Sequence, residues 1–165
     1  MSDISRFRNA YIDNYEYALR EVQNGQKDSH WMWYIFPQIQ GLGTSTMARI
    51  YAIKDMEEAK AFLNDPFIGT RFAQITTELL KLNTDDPVSI FGEIDAIKLR
   101  SSMTLFEAAL DYKPGNIFES VLKKYFGGQR DGLTIMLLKR QSENHGRQGN
   151  MRTRFSSERS ENGYY

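Results

Sequence analysis

Six consecutive large apolar residues, from Trp31 to Phe36, constrain this chain more than any other stretch. They lie between His30 and Pro37, and they leave no polar face at a period of either 2 or 3.6 residues. A run of this kind is buried on all sides or belongs to an interface. Because each aromatic side chain can bury roughly 150–250 Å², the run predicts the centre of the hydrophobic core.

Two secondary structures fit this run. As a helix, it would begin after a cap at Asp28 or Ser29 and end before Pro37, because the residue preceding a proline avoids the α region. As a strand, it has suitable length and β propensity. We favour the helix, because the other segments of the chain have helical periodicity.

The remaining chain predicts an all-α fold. Apolar residues recur at spacings of three and four, and short polar residues mark the helix starts. These starts are Asp55, Asp65, Asp95, Asn116 and Asp131. Residues 88–92 allow one short helical turn at most. No alternating strand pair or internal repeat is present, so we expect residues 1–140 to form one domain, a compact multihelical orthogonal bundle.

The composition changes at residue 141. From there to residue 165, serine, asparagine, glycine, glutamine, arginine and glutamate dominate, which predicts a disordered polar tail. The arginines of this tail allow weak RNA contact, but acidic residues interrupt them. A solvated tail is therefore the favoured interpretation.

Composition excludes several classes of function. The 21 basic and 21 acidic residues balance, so no net charge draws the protein to nucleic acid or to a membrane surface. The lack of cysteine excludes disulfides and a cysteine nucleophile, and a single histidine near the core argues against a metal site. No signal peptide is found, and no apolar run approaches the ~18 residues of a membrane span. We expect a cytoplasmic protein without a cofactor.

Polar residues inside the two most apolar segments are the candidates for chemistry. On the helix predicted from Asp95, the side chains of Asp95, Lys98 and Ser102 fall within about 60° of one another. Two interpretations stay open: an ion pair with a helix cap, or a pocket in which Lys98 binds an anion and Asp95 orients that anion or a histidine. His30 is either hydrogen-bonded at a helix start or a general acid–base group.

Several motifs carry a family resemblance. They are the stretch from Ser29 to Gln38, Gly41-Leu42-Gly43, Ile90-Phe91-Gly92, the stretch from Lys98 to Phe106, and Tyr125-Phe126-Gly127-Gly128. Together they make the chain resemble the family called domain of unknown function 1810, over residues 4–139. The resemblance implies a compact all-α domain, usually standing alone, with no established activity. Tyr11 and Asp65 depart from the family pattern, in which glutamine and histidine are expected.

Our leading hypothesis is a pocket between residues 30–38 and the helix over 95–110. It would bind a small anionic or nucleotide-like ligand and hydrolyse it or transfer part of it, with His30 and Asp95 as the catalytic residues that move protons. The ligand-binding residues would be Trp31, Trp33, Gln38, Lys98, Ser101, Ser102 and Thr104. The alternative is a protein-interaction module that exposes the aromatic segment 31–36 to a protein partner and catalyses nothing.

Overall fold

The structure, a computed structural model, describes residues 3–144 and Gly146, and these residues form eight helices. The helices are α1 (Ser5–Gln23), α2 (Met32–Ile35), α3 (Thr46–Ile50), α4 (Met56–Asn64), α5 (Pro66–Lys81), α6 (Pro87–Ala109), α7 (Ile117–Phe126) and α8 (132–144). The only β pairing in the described part of the chain is an isolated parallel bridge between Ile39 and Ile53. The all-α prediction is confirmed.

Four of the predicted helix starts are capped as the sequence indicates. The side chains of Asp55, Asp65, Asn116 and Asp131 each accept a hydrogen bond from the backbone N–H of the third residue that follows. The distances lie between 2.9 and 3.0 Å. Each cap satisfies an N–H group that the first turn of a helix leaves without a partner, so local chemistry sets where these helices begin.

Helix α6 corrects the fifth predicted start. It begins at Pro87 with Asp86 as its cap, so the residues before Gly92 form a short helical segment, as expected, and the longer segment begins directly after Gly92 rather than at Asp95. Gly92 interrupts it with φ +80° and ψ 168°, a conformation that glycine adopts without the strain other residues would meet. The helix is interrupted at Gly92, and a second helical segment begins directly after it. Asp95 consequently lies in the first turn after the bend, inside the helix.

The aromatic run forms the core but only a four-residue helix. Five of its six side chains are buried, and Trp33 alone is half-buried. Phe72 lies among the surrounding rings, with its ring centre 4.8–5.8 Å from those of four other phenylalanines. Those four are Phe36, Phe62, Phe106 and Phe118. Most of these pairs are edge-to-face or tilted, as aromatic quadrupoles prefer.

Helix α8 extends past the boundary predicted at residue 140. It remains helical to residue 144, and the Gln141 side chain donates a hydrogen bond of 3.0 Å to the carbonyl of Lys54. The rest of the predicted tail, residues 145 and 147–165, lies outside the described residues. None of the described helices has the length and apolar character needed to cross a membrane.

Candidate functional site

A narrow cleft separates the aromatic segment from α6. Its lining residues come from the aromatic segment, from the turn after it, from α3 and from α6. They are Met32, Trp33, Phe36, Gln38, Ile39, Gly43, Ala48, Tyr51, Ala52 and Lys98. The cleft encloses about 290 Å³ when its open mouth is included, but the space that a water-sized sphere can reach inside it is about 10 Å³. In this conformation it therefore accommodates roughly one water molecule.

Three charged side chains meet at the edge of this cleft. The Lys27 ammonium lies 2.8 Å from one carboxylate oxygen of Asp95, and the Lys98 ammonium lies 3.6 Å from the other. The Lys27 side chain is 7% exposed and the Lys98 side chain 27%. Two ammonium groups share one carboxylate, so the cluster carries a net positive charge. Lys98, with the longer contact and the greater exposure, is the group that faces the cleft.

The indole of Trp33 lies beside Lys98. The Lys98 ammonium is 5.9 Å from the centre of that ring, within the range of a cation–π contact. The ring of His30 is 6.4 Å from the ring of Trp33. His30 is exposed, and within the described residues no hydrogen bond joins its imidazole to Asp95. The structure thus brings Lys98, Trp33 and Asp95 together and leaves His30 at the outer side of Trp33.

Trp31 has a different role from the one predicted. Its side chain is 1% exposed, so it cannot stack on a ligand from solvent. Its indole N–H donates to Oε1 of Glu21 at 3.0 Å, and the Lys27 ammonium lies 5.0 Å from its ring centre. Trp31 therefore belongs to the core and supports Lys27. Of the two tryptophans, Trp33 is the one that remains accessible.

Glu21 holds the loop that carries Lys27. Besides Trp31, its Oε1 accepts hydrogen bonds from the backbone N–H groups of Asp28 and Ser29, at 2.6 and 2.8 Å. Partial burial acts to raise the pKa of this carboxyl, but the hydrogen bonds from Ser29, Trp31 and Asp28 outweigh it, and the pKa is lowered. The loop is thus fixed by a carboxylate on α1.

Ser101 and Thr104 do not line the cleft among the described residues. The Ser101 hydroxyl donates to Oδ2 of Asp131 at 3.2 Å, and Oγ1 of Thr104 accepts from the Asp131 backbone N–H at 2.9 Å. Both residues join α6 to the start of α8. Ser102 is fully buried, and its hydroxyl has no partner within the described part of the chain.

The expected exposed aromatic surface is not found either. Trp31, Met32, Tyr34 and Phe36 are all less than 9% exposed, because the run packs into the core instead of facing a partner. The alternative hypothesis of an interaction module loses the observation on which it was based. The most exposed large apolar side chain is instead Ile94 of α6, among the residues that the structure describes.

Comparison with known proteins agrees with this fold. The family described as "Protein of unknown function (DUF1810)" matches residues 1–138. The chain belongs to this family. The crystal structure of the conserved hypothetical protein Rv1873 from Mycobacterium tuberculosis is similar, with 39% sequence identity and a TM-score of 0.79. The similarity covers 83% of this chain and 96% of that one. No relative among curated proteins matches.

The two departures from the DUF1810 pattern have structural roles here. The Tyr11 hydroxyl donates to the carbonyl of Ile35 at 2.8 Å and holds the aromatic segment, and burial raises the pKa of Tyr11 well above its ordinary value. Asp65 caps α5 and forms an ion pair with Arg8. Neither residue lines the cleft of the described structure, so the departures leave that site intact.

Two residues beside the cleft, Lys27 and Glu21, were not singled out by sequence reasoning. Lys27 owes its position to Asp95, which is far away along the chain, and Glu21 holds the loop that carries Lys27. No local pattern of residues predicts the pairing of Lys27 with Asp95, because it depends on how the helices pack.

Proposed function

We propose that this protein binds a small ligand through one anionic group, which the Lys98 ammonium receives at the cleft beside α6. The observation that carries the proposal is the sharing of Asp95 between Lys27 and Lys98. One carboxylate cannot neutralise two ammonium groups. The positive charge left over lies at a concave, partly aromatic surface, where an anion would gain most from it.

The two lysines differ in how easily they can change partner. Lys27 donates to the Ser29 carbonyl at 2.6 Å as well as to Asp95, and it lies against Trp31. Among the described residues, Lys98 has only the contact of 3.6 Å to Asp95 and the face of Trp33. A pair that is partly exposed contributes little, on the order of 0–1 kcal/mol. Lys98 can therefore turn to a ligand while Lys27 continues to neutralise Asp95.

The size of the cleft restricts the ligand. Space for about one water molecule admits a carboxylate or part of a phosphate group only if the side chains move slightly, and it does not admit a nucleotide. A planar substituent on the anionic group would lie outside the cleft, against the partly exposed ring of Trp33. Gln38 offers both an amide donor and an amide acceptor at the same cleft. A small anion with a planar substituent fits this arrangement best.

Catalysis by this site stays a prediction. His30 with Asp95 was expected to move protons, but Asp95 is engaged by two lysines, and His30 lies beyond Trp33. Ser101 and Thr104 are committed to Asp131. Binding is the part of the hypothesis that the contacts of the described residues support, and hydrolysis or transfer would need a base that approaches only with ligand bound.

Thermal shift with the full chain tests the proposal. The probes are inorganic phosphate, pyruvate and adenosine monophosphate, with adenosine as the neutral control and sodium chloride as the ionic-strength control. We expect at least one anion to raise the Tm of the wild-type protein in a saturable way, because a ligand that binds only the folded state stabilises it. Lys98→Ala should abolish the rise.

The matched control is Lys123→Ala. Lys123 is an exposed lysine on α7 that also pairs with a carboxylate, Glu119, at 2.7 Å, but it does not line the cleft at Lys98. It should leave the response to anions unchanged. An equal response in wild type and Lys98→Ala, or no response to any of the three anions, would overturn the proposal.

A further inference from the structure

A second cleft lies between the start of α4 and the end of α8. Its volume is about 430 Å³, and it shares no lining residue with the cleft at Lys98. The residues that line it are Asp55, Met56, Glu57, Leu138, Gln141 and Ser142. It is much larger than the first cleft and has no role in the function proposed above.

The lining of this second cleft combines acidic and apolar groups. Asp55 and Glu57 contribute two carboxylates, whereas no lysine or arginine appears among its described lining residues. Oδ1 of Asp55 accepts the capping hydrogen bond from Glu58, which leaves its other oxygen available. Glu57 is exposed and has no ion pair or side-chain hydrogen bond within the described residues. Met56 and Leu138 supply an apolar surface between these carboxylates and α8.

The last described turn of α8 lines this cleft. Gln141 and Ser142 belong to the last turn of α8, and they lie beyond residue 138, where the match to the DUF1810 family ends. The hydrogen bond from Gln141 to the Lys54 carbonyl fixes this turn against the start of α4. Part of one wall of the cleft is therefore built by residues beyond the stretch that matches the family.

The rest of that extension is complementary in charge. Segment 147–165 has four arginines and two glutamates, which gives it a net charge of +2 and leaves the remainder of the neutral chain at −2. Its arginines at 152 and 154 are separated by Thr153 and flanked by apolar Met151 and Phe155. At about 3.3 Å per residue, the chain after residue 146 can easily return over the last turn of α8.

We propose that this second cleft is a docking site for the segment Met151–Phe155 of the same chain. The two arginines of the segment pair with Asp55 and Glu57, and its apolar side chains cover Met56 and Leu138. Because exposed ion pairs contribute on the order of 0–1 kcal/mol each, the docked state is one of two exchanging populations. High salt weakens it, since a Debye length of ~3 Å at 1 M screens such pairs.

A paramagnetic label on the full chain tests this. The chain has no cysteine, so Ser156→Cys gives a single attachment point for a nitroxide next to the segment. The readout is the methyl signal of Met56, compared between the oxidised and reduced label. The decisive comparison is with the Asp55→Asn/Glu57→Gln variant, in which asparagine still caps α4 but both charges are gone. We expect the loss of Met56 signal to be at least twofold smaller in this variant and at 1 M salt.

The matched control is Glu16→Gln/Glu93→Gln, which removes two exposed carboxylates that do not line the cleft. It should leave the Met56 attenuation unchanged. Attenuation that is the same in all three proteins and insensitive to salt would come from tethering alone and would overturn the proposal. Attenuation that disappears on dilution would place the segment of a second copy in the cleft, which overturns docking within one chain.

Discussion

After Gly92, α6 has two parts, and they differ in how completely their polar side chains are paired. Near the bend, Asp95 is shared between two lysines, and positive charge is left over. About two to three turns further on, Ser101, Thr104 and Glu107 have hydrogen-bond partners, although the hydroxyl of Ser102 between them has none within the described residues. Asp95, Ser101 and Thr104 were candidates by the same sequence argument, namely polar residues on an apolar helix, whereas Glu107 was not singled out. Their partners distinguish the two sets: the hydrogen-bonded residues stabilise the fold, and the excess positive charge lies at the proposed binding site.

The largest expected effect on stability comes from the hydrogen-bonded part of α6, at Glu107. Glu107 is 1% exposed and pairs with Arg130 at 2.5 Å, and this hydrogen bond raises the pKa of Arg130. Removing the cation leaves a buried carboxylate without a counter-charge. Arg130→Met should therefore lower the free energy of unfolding by about 3 kcal/mol in urea titrations at neutral pH. Anion binding at Lys98 should be unchanged.

The control for this effect is the double variant Glu107→Gln/Arg130→Met. It removes both charges, so it should recover at least half of the stability that Arg130→Met loses. A loss below about 1 kcal/mol in Arg130→Met would mean that water solvates Glu107. In that case the contrast between the two parts of α6 would disappear.

Substitution of Asp131 should give the next largest loss of stability. Its Oδ2 accepts hydrogen bonds from the backbone N–H and the hydroxyl of Thr134, at 3.0 and 2.5 Å, and from the hydroxyl of Ser101. Asp131→Ala removes the cap of α8 and should cost about 2 kcal/mol. Hydrogen exchange should show faster exchange of the first-turn amides of α8. Ser101→Ala, which removes one contact only, should cost much less, and an equal cost would contradict the capping role.

Much of the fold could be predicted because its determinants are local. The caps at Asp55, Asp65 and Asn116 depend on residues three positions apart, and apolar periodicity reports which face is buried. The aromatic run was correctly placed in the core, but its helix is only four residues long. The fifth cap was wrong at Asp95, because non-helical Gly92 separates the two segments of α6 and the second segment begins directly after it.

The site could be predicted only in part. Asp95 and Lys98 form the ion pair that was one of the two interpretations, because a spacing of three places both side chains on one face of a helix. Their third partner, Lys27, comes from a loop after α1, and the loop is held by Glu21. Contacts of this kind depend on how helices pack. For the same reason the sequence could not show that Ser101 binds Asp131 whereas Lys98 lies at the cleft.

Glu21 gives a smaller effect that depends on pH. Its lowered pKa in the folded protein means that the carboxylate stabilises the fold above the ordinary value of about 4.3, and that this contribution is lost as the pH falls through the lowered pKa. Glu21→Gln should cost about 1 kcal/mol at pH 7, since hydrogen bonds to a charged group are replaced by weaker ones. The difference between wild type and variant should shrink towards pH 3.

Urea titrations from pH 3 to pH 7 would measure this difference, and tryptophan fluorescence would report whether Trp31 keeps its buried position. Glu93→Gln is the control, because Glu93 is exposed and makes no side-chain hydrogen bond or ion pair within residues 3–144. A cost in Glu21→Gln that stays constant with pH would show that the ionised carboxylate is not what holds the loop with Lys27.

Lys98→Ala is expected to have the smallest effect on the free energy of unfolding and the largest effect on anion binding. Lys98→Ala breaks a pair of 3.6 Å that is partly exposed, so the free energy of unfolding should change by less than about 1 kcal/mol. Lys27→Met should cost more, because that ammonium is 7% exposed and holds both Asp95 and the Ser29 carbonyl. It should also weaken anion binding, since Lys98 would then be the sole counter-charge of Asp95. If Lys98→Ala proves the more destabilising of the two in urea titrations, Lys98 is a structural residue, and the charge at the cleft is not available to a ligand.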